Sequence, residues 1–312
     1  MPLRPIVSSV GSIMYNSAKY LAKVMSPLVG KTNHHIKNSK HFAGIKDKTV
    51  NEDEIFVSND VSALFTSVPV GKTLTVIKDK LSTDTTLSQR TPLSADRVTR
   101  LLELCLKCTY FVYDGQYYLQ IHGAAMGSPV SPIVCNLYTE HFESLALSTA
   151  PTLRVGGSVL WTTLIPSKQL RQYVNEFTDH INSIDPDIKF TIEKEDNGTL
   201  AFLDTNTVRL IDGHLKTTVF RKPTHTDQYL DFNSAHPEEH KLGVIRTLHQ
   251  RAEVVTSDPT DLKAEIKHVN KALNVYNYPR WAVNKVKKHL LKRKDQSRRK
   301  TSDRKDSKGS VT

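Results

Sequence analysis

Phe56-Val57-Ser58-Asn59-Asp60-Val61-Ser62-Ala63-Leu64-Phe65-Thr66-Ser67-Val68-Pro69 decides how the rest of the chain is read. With Ile55, the residues Phe56, Val57 and Val61 predict a short buried strand. Asp60 interrupts that apolar run. A carboxylate on a buried strand is costly unless something pairs with it, and a metal ion is one such partner. An aspartate that caps the following turn accounts for the same residue equally well. Phe65 lies five residues on, where the strand turns toward a helix, and Pro69-Val70-Gly71-Lys72 opens the amphipathic run Leu74, Ile77, Leu81.

Working outward, 312 residues with 38% hydrophobic content suffice for one large domain or a few subdomains around a core. No apolar run reaches the roughly 18 residues of a membrane span, and no apolar signal segment opens the chain. Three cysteines, Cys105, Cys108 and Cys135, argue against a disulfide framework. The chain is therefore expected inside the cell, nuclear or cytoplasmic rather than secreted. Cys105 falls on the apolar face Val98, Leu101, Leu102, which favours core packing over zinc. The net charge is +11, and Lys285 to Lys308 alone holds 12 Lys and Arg against three Asp. Such a tail serves phosphate contacts, nuclear import or simple solvation.

Element signals run along the chain. Tyr20, Leu21, Val24 and Leu28 have helical spacing, and Ser94 is placed to cap a helix over Ala95–Lys107. Tyr110–Tyr113, Asp114-Gly115 and Gln116–Ile121 predict a hairpin. Leu170, Val174, Phe177, Ile181 and Ile184 read as a helix with Ser167 at its N-cap and Asp185-Pro186 at its end. Strands and Asp-Asn-Gly or Asp-Gly turns fill 188–220. From Pro237, the stripes Leu242, Ile245, Leu248, Ala252, Val255 and Leu262, Ile266, Val269, Leu273 predict two helices.

Gly123-Ala124-Ala125-Met126-Gly127-Ser128-Pro129-Val130-Ser131-Pro132 is a small-residue loop entering an apolar helix. Leu3-Arg4-Pro5-Ile6-Val7 precedes it, and Phe202-Leu203-Asp204 and Phe220-Arg221-Lys222-Pro223-Thr224-His225-Thr226-Asp227-Gln228-Tyr229-Leu230 follow. With the stretch around Asp60, in this order, they resemble the reverse transcriptase of Penelope-like retroelements over residues 1 to about 278. The resemblance implies an α+β fold: partial fingers over 1–50, a palm with an antiparallel sheet and flanking helices over 51–235, a helical thumb over 236–284, and a basic, disordered tail over 285–312. It implies RNA-templated DNA synthesis, with an RNA template, a DNA primer, dNTPs and Mg²⁺. Asp60 would be the catalytic metal ligand, Arg4 the contact to the triphosphate, and Phe65 the gate beneath the sugar. Gly123, Ala124, Met126, Gly127, Ser128 and Pro129 would lie against the template and nascent base pair, where small residues let backbone come close. Arg221 and Lys222 would lie near the primer, and Lys241 and Arg246 would face the duplex backbone. No GIY…YIG-type stretch follows, so the family's accompanying nuclease is not expected.

The family's Tyr-Val-Asp-Asp turn is missing. Leu153 to Ile165 stands in its place, and between Glu143 and Glu176 there is no Asp or Glu. One carboxylate cannot clamp the two hard cations that polymerisation needs. Leu160-Trp161-Thr162-Thr163-Leu164-Ile165, read two bases later, can encode Val-Asp-Asp-Thr-Tyr, so about residues 155–169 are read as out of frame. Two functions are expected: a reverse transcriptase impaired at its metal site, or a non-catalytic remnant that holds nucleic acid.

Overall fold

The apolar run around Val57 is a strand. The computed structural model describes residues 6–32, 36, 38–44, 49–150 and 167–292. In chain order these give α1 (Tyr15–Met25), α2 (Ser39–Phe42), β1 (Glu54–Val61), α3 (Leu64–Ser67), α4 (Val70–Ser82) and α5 (Ala95–Lys107). The hairpin β2 (Tyr110–Tyr113) and β3 (Gln116–Leu119) leads to α6 (Ser131–Thr149), β4 (Ser167–Leu170), α7 (Val174–Ile184) and β5 (Phe190–Lys194). β6 (Thr199–Phe202), β7 (Thr205–Arg209) and β8 (Leu215–Val219) precede α8 (Glu238–Val255), α9 (Pro259–Val275) and α10, residues 280–292. The described residues group into two compact units, one drawn from Met1–Ile36 and Asn51–Glu195, the other from Lys37–Val50 and Asp196–Thr312. The fold is mixed helix and sheet, as expected.

In the first unit β1 is the central strand of an antiparallel sheet, with β4 on one side and β5 on the other. Val57 sits opposite Ser167 and Lys194, and Asp60 opposite Thr191. Val61 and Phe190 join a core with Ile77, Leu102, Leu137, Phe142 and Ile181. Ser94 does cap α5, accepting from the Arg97 N–H at 3.4 Å. Cys105 is buried in this core, in keeping with the packing role. Asp185, 4% exposed, ties three helices together. It accepts from Lys72 Nζ of α4 at 2.8 Å and from the Tyr138 hydroxyl of α6, just past the end of α7. Burial opposes its ionisation, but Lys72, Tyr138 and the Asp187 N–H together hold its pKa below the usual value.

Ser167 is not a helix cap. It belongs to β4, and the helix begins at Val174 after Tyr173. The expected helical stripe counted Leu170 as its first turn. Instead Leu170 pairs with Glu54, because Glu54–Val57 carries backbone groups that an adjacent strand satisfies. Nothing local announces that pairing.

In the second unit β6, β7 and β8 form an antiparallel meander. Leu203, in the left-handed region at φ 53°, turns β6 into β7. Asp258 caps α9 by accepting from the N–H groups of Thr260 (2.8 Å) and Asp261 (3.0 Å). Leu242, Ile245 and Leu248 of α8 meet Val269 and Leu273 of α9, and Ala282, Val286 and Leu290 of α10. Residues 285–292, expected in the disordered basic tail, are therefore helical. The four-residue spacing of Ala282, Val286 and Leu290 buries one side of α10 and leaves Lys285, Lys288 and Lys292 exposed, with Lys287 half-buried.

His249 of α8 is 2% exposed, and its Nε2 has no hydrogen-bond partner. Burial, then the charge of Lys287, pushes its pKa down to about 4, against the opposing Glu253. The neutral ring is thus favoured in the fold, and its contribution to stability is complete above the ordinary value of 6.5. That contribution is expected to fade as pH drops from 6.5 toward 4, at up to about 1.4 kcal/mol per pH unit. Denaturant unfolding at a series of pH values checks this, and His249→Leu is expected to flatten the curve between pH 6.5 and 5.

Candidate nucleic-acid interface and the Asp60 strand

Asp60 lies near the end of β1 and is exposed. Its carbonyl accepts from the Thr191 hydroxyl at 3.3 Å. The expected reason for a metal, a carboxylate stranded in a buried strand, is therefore corrected: the side chain already meets water. Its neighbour Asn59 is a buried polar residue, at 1% exposure, and neither its Oδ1 nor its Nδ2 has a hydrogen-bond partner. Among the described residues no three His, Cys, Asp or Glu side chains are grouped to hold a metal ion. Residues 155–165, where the resemblance puts the missing aspartate pair, lie outside the described residues, as does most of the stretch read as out of frame. Asp60 among its described neighbours thus does not fit a two-cation clamp for Mg²⁺.

Several residues expected at the substrate site do come together. Ala63, at φ 55°, swings the chain from β1 into the single turn α3. The half-buried Phe65 packs against the core, and its carbonyl accepts from the Ala124 N–H at 2.6 Å. Gly123 has φ +69°, and a Cβ there would come 2.3 Å from the Phe65 oxygen. Gly127 has φ +134°, and a Cβ there would come 1.9 Å from the Val7 oxygen. The Val7 N–H donates to the Met126 carbonyl at 3.2 Å, and the Ser9 hydroxyl to the Gly127 carbonyl at 2.7 Å. The glycines thus have an internal reason: the close approach comes from the chain's own backbone. Ala124 is fully buried, while Met126, Ser128 and Pro129 are half-buried. Arg4 lies outside the described residues. A cavity of about 80 Å³ lies between Val7, Tyr15, Cys105, Tyr110, Met126 and Ser128. It is far below the roughly 300 Å³ at which ligand pockets begin, and Asp60 does not line it.

The cations expected to hold nucleic acid fare differently from one another. Arg221 makes a two-pronged pair with Glu265 of α9, at 2.9 and 2.6 Å, and its Nε is 3.5 Å from Asp227. Lys241 donates to the Ser234 carbonyl at 2.7 Å and lies over the Phe232 ring at 5.3 Å. Arg246 is half-buried, with a buried Nε that has no partner. Lys222 is exposed. Asp227, at φ 52°, gathers His225 (2.9 Å), Tyr229 (3.1 Å) and His268 (2.9 Å). Burial opposes its ionisation, and His268, His225 and Tyr229 overcome that to keep its pKa below the usual range. This hub fastens the 220–231 segment to α9 and was not anticipated. Local spacing gives no sign that Asp227 and His268, some forty positions apart, would meet.

A family model described as the animal helix-turn-helix domain matches residues 228–288. That stretch contains α8, α9 and most of α10, the last two joined by a turn of four residues, Tyr276 to Pro279. No curated protein matches the chain. Among the described residues no helix is long and apolar enough to cross a membrane.

The backbone contacts of the 123–128 loop yield a direct check. Gly127→Ala is expected to cost about 1–3 kcal/mol, since the residue is held outside the conformations that L side chains favour. Gly71→Ala, with open space around it in α4, is expected to stabilise by up to about 1 kcal/mol. Denaturant midpoints of the two variants measure the contrast.

Proposed function

We propose that this chain binds nucleic acid without catalysing a reaction on it, and that its C-terminal helices do the binding. The observation that carries this reading is the helix-turn-helix match over 228–288, which ends on a helix with no acidic residue from 280 to 292. Helices joined by a short turn present one of their number to a nucleic-acid groove, and lysines beside it neutralise phosphates. Counterion release then makes affinity fall steeply with salt.

A second reading concerns ancestry. Descent of the first unit from the reverse transcriptase of Penelope-like elements is favoured by one arrangement. Asp60 stands on the central strand of an antiparallel sheet, and the Gly123–Ser128 loop rests on Phe65 and on the residues after Arg4. The resemblance gives those three segments to a polymerase centre. The lack of any Asp or Glu between Glu143 and Glu176 in the sequence favours binding without chemistry.

Fluorescence anisotropy with the full chain and labelled duplexes is the test of binding. Affinity is expected to drop by at least about 100-fold between 50 and 200 mM salt, as several phosphate contacts require. Absence of binding at low salt would overturn the proposal. Primer extension on an RNA template, with Mg²⁺ or Mn²⁺, is expected to give no product. Extension that Asp60→Ala abolishes would instead establish a working polymerase.

A further inference from the structure

The second unit sorts its cations into two sets. Three on α8 and before it are turned inward: Arg221 holds Glu265, Lys241 holds the Ser234 carbonyl, and Arg251 donates to the Phe220 carbonyl at 2.6 Å while pairing with Asp204 at 3.3 Å. The cations of α9 and α10 are largely unspent. Lys263, Lys267 and Lys271 recur every four residues along α9, and all three are exposed. The acids of that helix do not answer them: Asp261 and Glu265 stand at two-residue offsets, off the lysine face, and are held by Lys216 at 2.9 Å and by Arg221. On α10, Arg280, Asn284 and Lys288 also recur every four residues and are exposed, opposite the buried stripe Ala282, Val286, Leu290. Four-residue spacing puts each set on one face of its helix.

The joint between the two helices is built. The N–H groups of Tyr276 and Tyr278 both reach the Leu273 carbonyl at 3.1 Å, and Asn277 takes the left-handed conformation at φ 59°. Tyr278, 3% exposed, plugs the turn into the core shared with α8. The shorter turn between α8 and α9 joins the other possible pair, but there α8 has no unspent cationic stripe to offer.

We infer that α9 and α10 form the DNA-binding pair: α9 lays Lys263, Lys267 and Lys271 along the phosphates, and α10 carries Arg280, Asn284 and Lys288 into the major groove of duplex DNA. This rests on the nucleic-acid reading above and goes beyond it, to the face and the kind of duplex. The B-form major groove admits a helix, whereas that of A-form RNA is too narrow. Arginine and asparagine are the side chains that read guanine and adenine edges there. The face differs from the one expected at Arg221, Lys241 and Arg246: Arg221 and Lys241 spend their donors within the fold, and Arg246 is half-buried.

The test uses the full chain with a mixed-sequence DNA duplex, the matching RNA duplex and three variants. The triple change Lys263→Gln, Lys267→Gln, Lys271→Gln is expected to weaken DNA binding by about tenfold or more and to lower the salt slope by about 2–3. Arg280→Gln with Lys288→Gln is expected to lower that slope by about 2 and to weaken binding similarly. Arg97→Gln, an exposed cation on α5 of the first unit, should change affinity less than about threefold, the loss of one phosphate contact at most. Thermal unfolding should be unchanged throughout, since the replaced side chains are exposed. DNA should bind at least about tenfold tighter than RNA, by the groove argument. Wild-type affinity in both multiple variants overturns the inference while leaving the nucleic-acid reading standing. Equal affinity for the RNA duplex overturns the groove assignment. A chain that binds neither duplex removes both readings together.

Discussion

The two-pronged ion pair between Arg221 and Glu265 fixes what the second unit can do. It fastens the segment after β8 to α9, beside the Asp227 hub that holds His268 of the same helix. A planar guanidinium meeting a carboxylate along two parallel bonds is both strong and directional. Its second effect is on charge. It absorbs Glu265, one of the two acids of the helix that carries Lys263 and Lys267, while the face of those lysines holds no acid of its own. An arginine that the motif places at a primer thus acts structurally.

The first unit is governed by a different constraint, that of backbone against backbone. Gly123 and Gly127 each sit where a Cβ would collide with a carbonyl of another segment. These contacts hold the 6–9 segment, the turn after β1 and the loop before α6 together. Asp60 stands exposed at the edge of this assembly, and beside it the Asn59 amide is buried without a partner. An unsatisfied buried amide costs about 1–3 kcal/mol. Asn59, rather than Asp60, carries a buried amide in β1 that works against the sheet's own stability.

Much of the fold is legible in the sequence because the signals are local. The strand through Val57, the Ser94 cap, the Asp114-Gly115 hairpin and the stripes of α8 and α9 each follow from residues within one turn or one strand of each other. β4 was not legible, since Leu170 fits a helical stripe as well as it fits a partner for Glu54, and only the distant strand decides. α10 was masked by its own charge. The lysines from Lys285 onward read as a solvated tail, although Ala282, Val286 and Leu290 already carry the helical period. The candidate site was half legible. The segments around Phe65, Gly123 and Gly127 do meet, yet which cations face outward depends on ion pairs across 44 residues, as between Arg221 and Glu265. Spacing along the chain does not encode such pairing.

The proposed nucleic-acid surface is α9 and α10 of the second unit, not the strand of Asp60 in the first. Hydrogen exchange of the full chain, with and without a saturating DNA duplex, tests that placement directly. Slower exchange confined to α9, the 276–279 turn and α10 is the predicted result. Protection centred on α3 and the Gly123–Ser128 loop, with α9 and α10 unchanged, would contradict it.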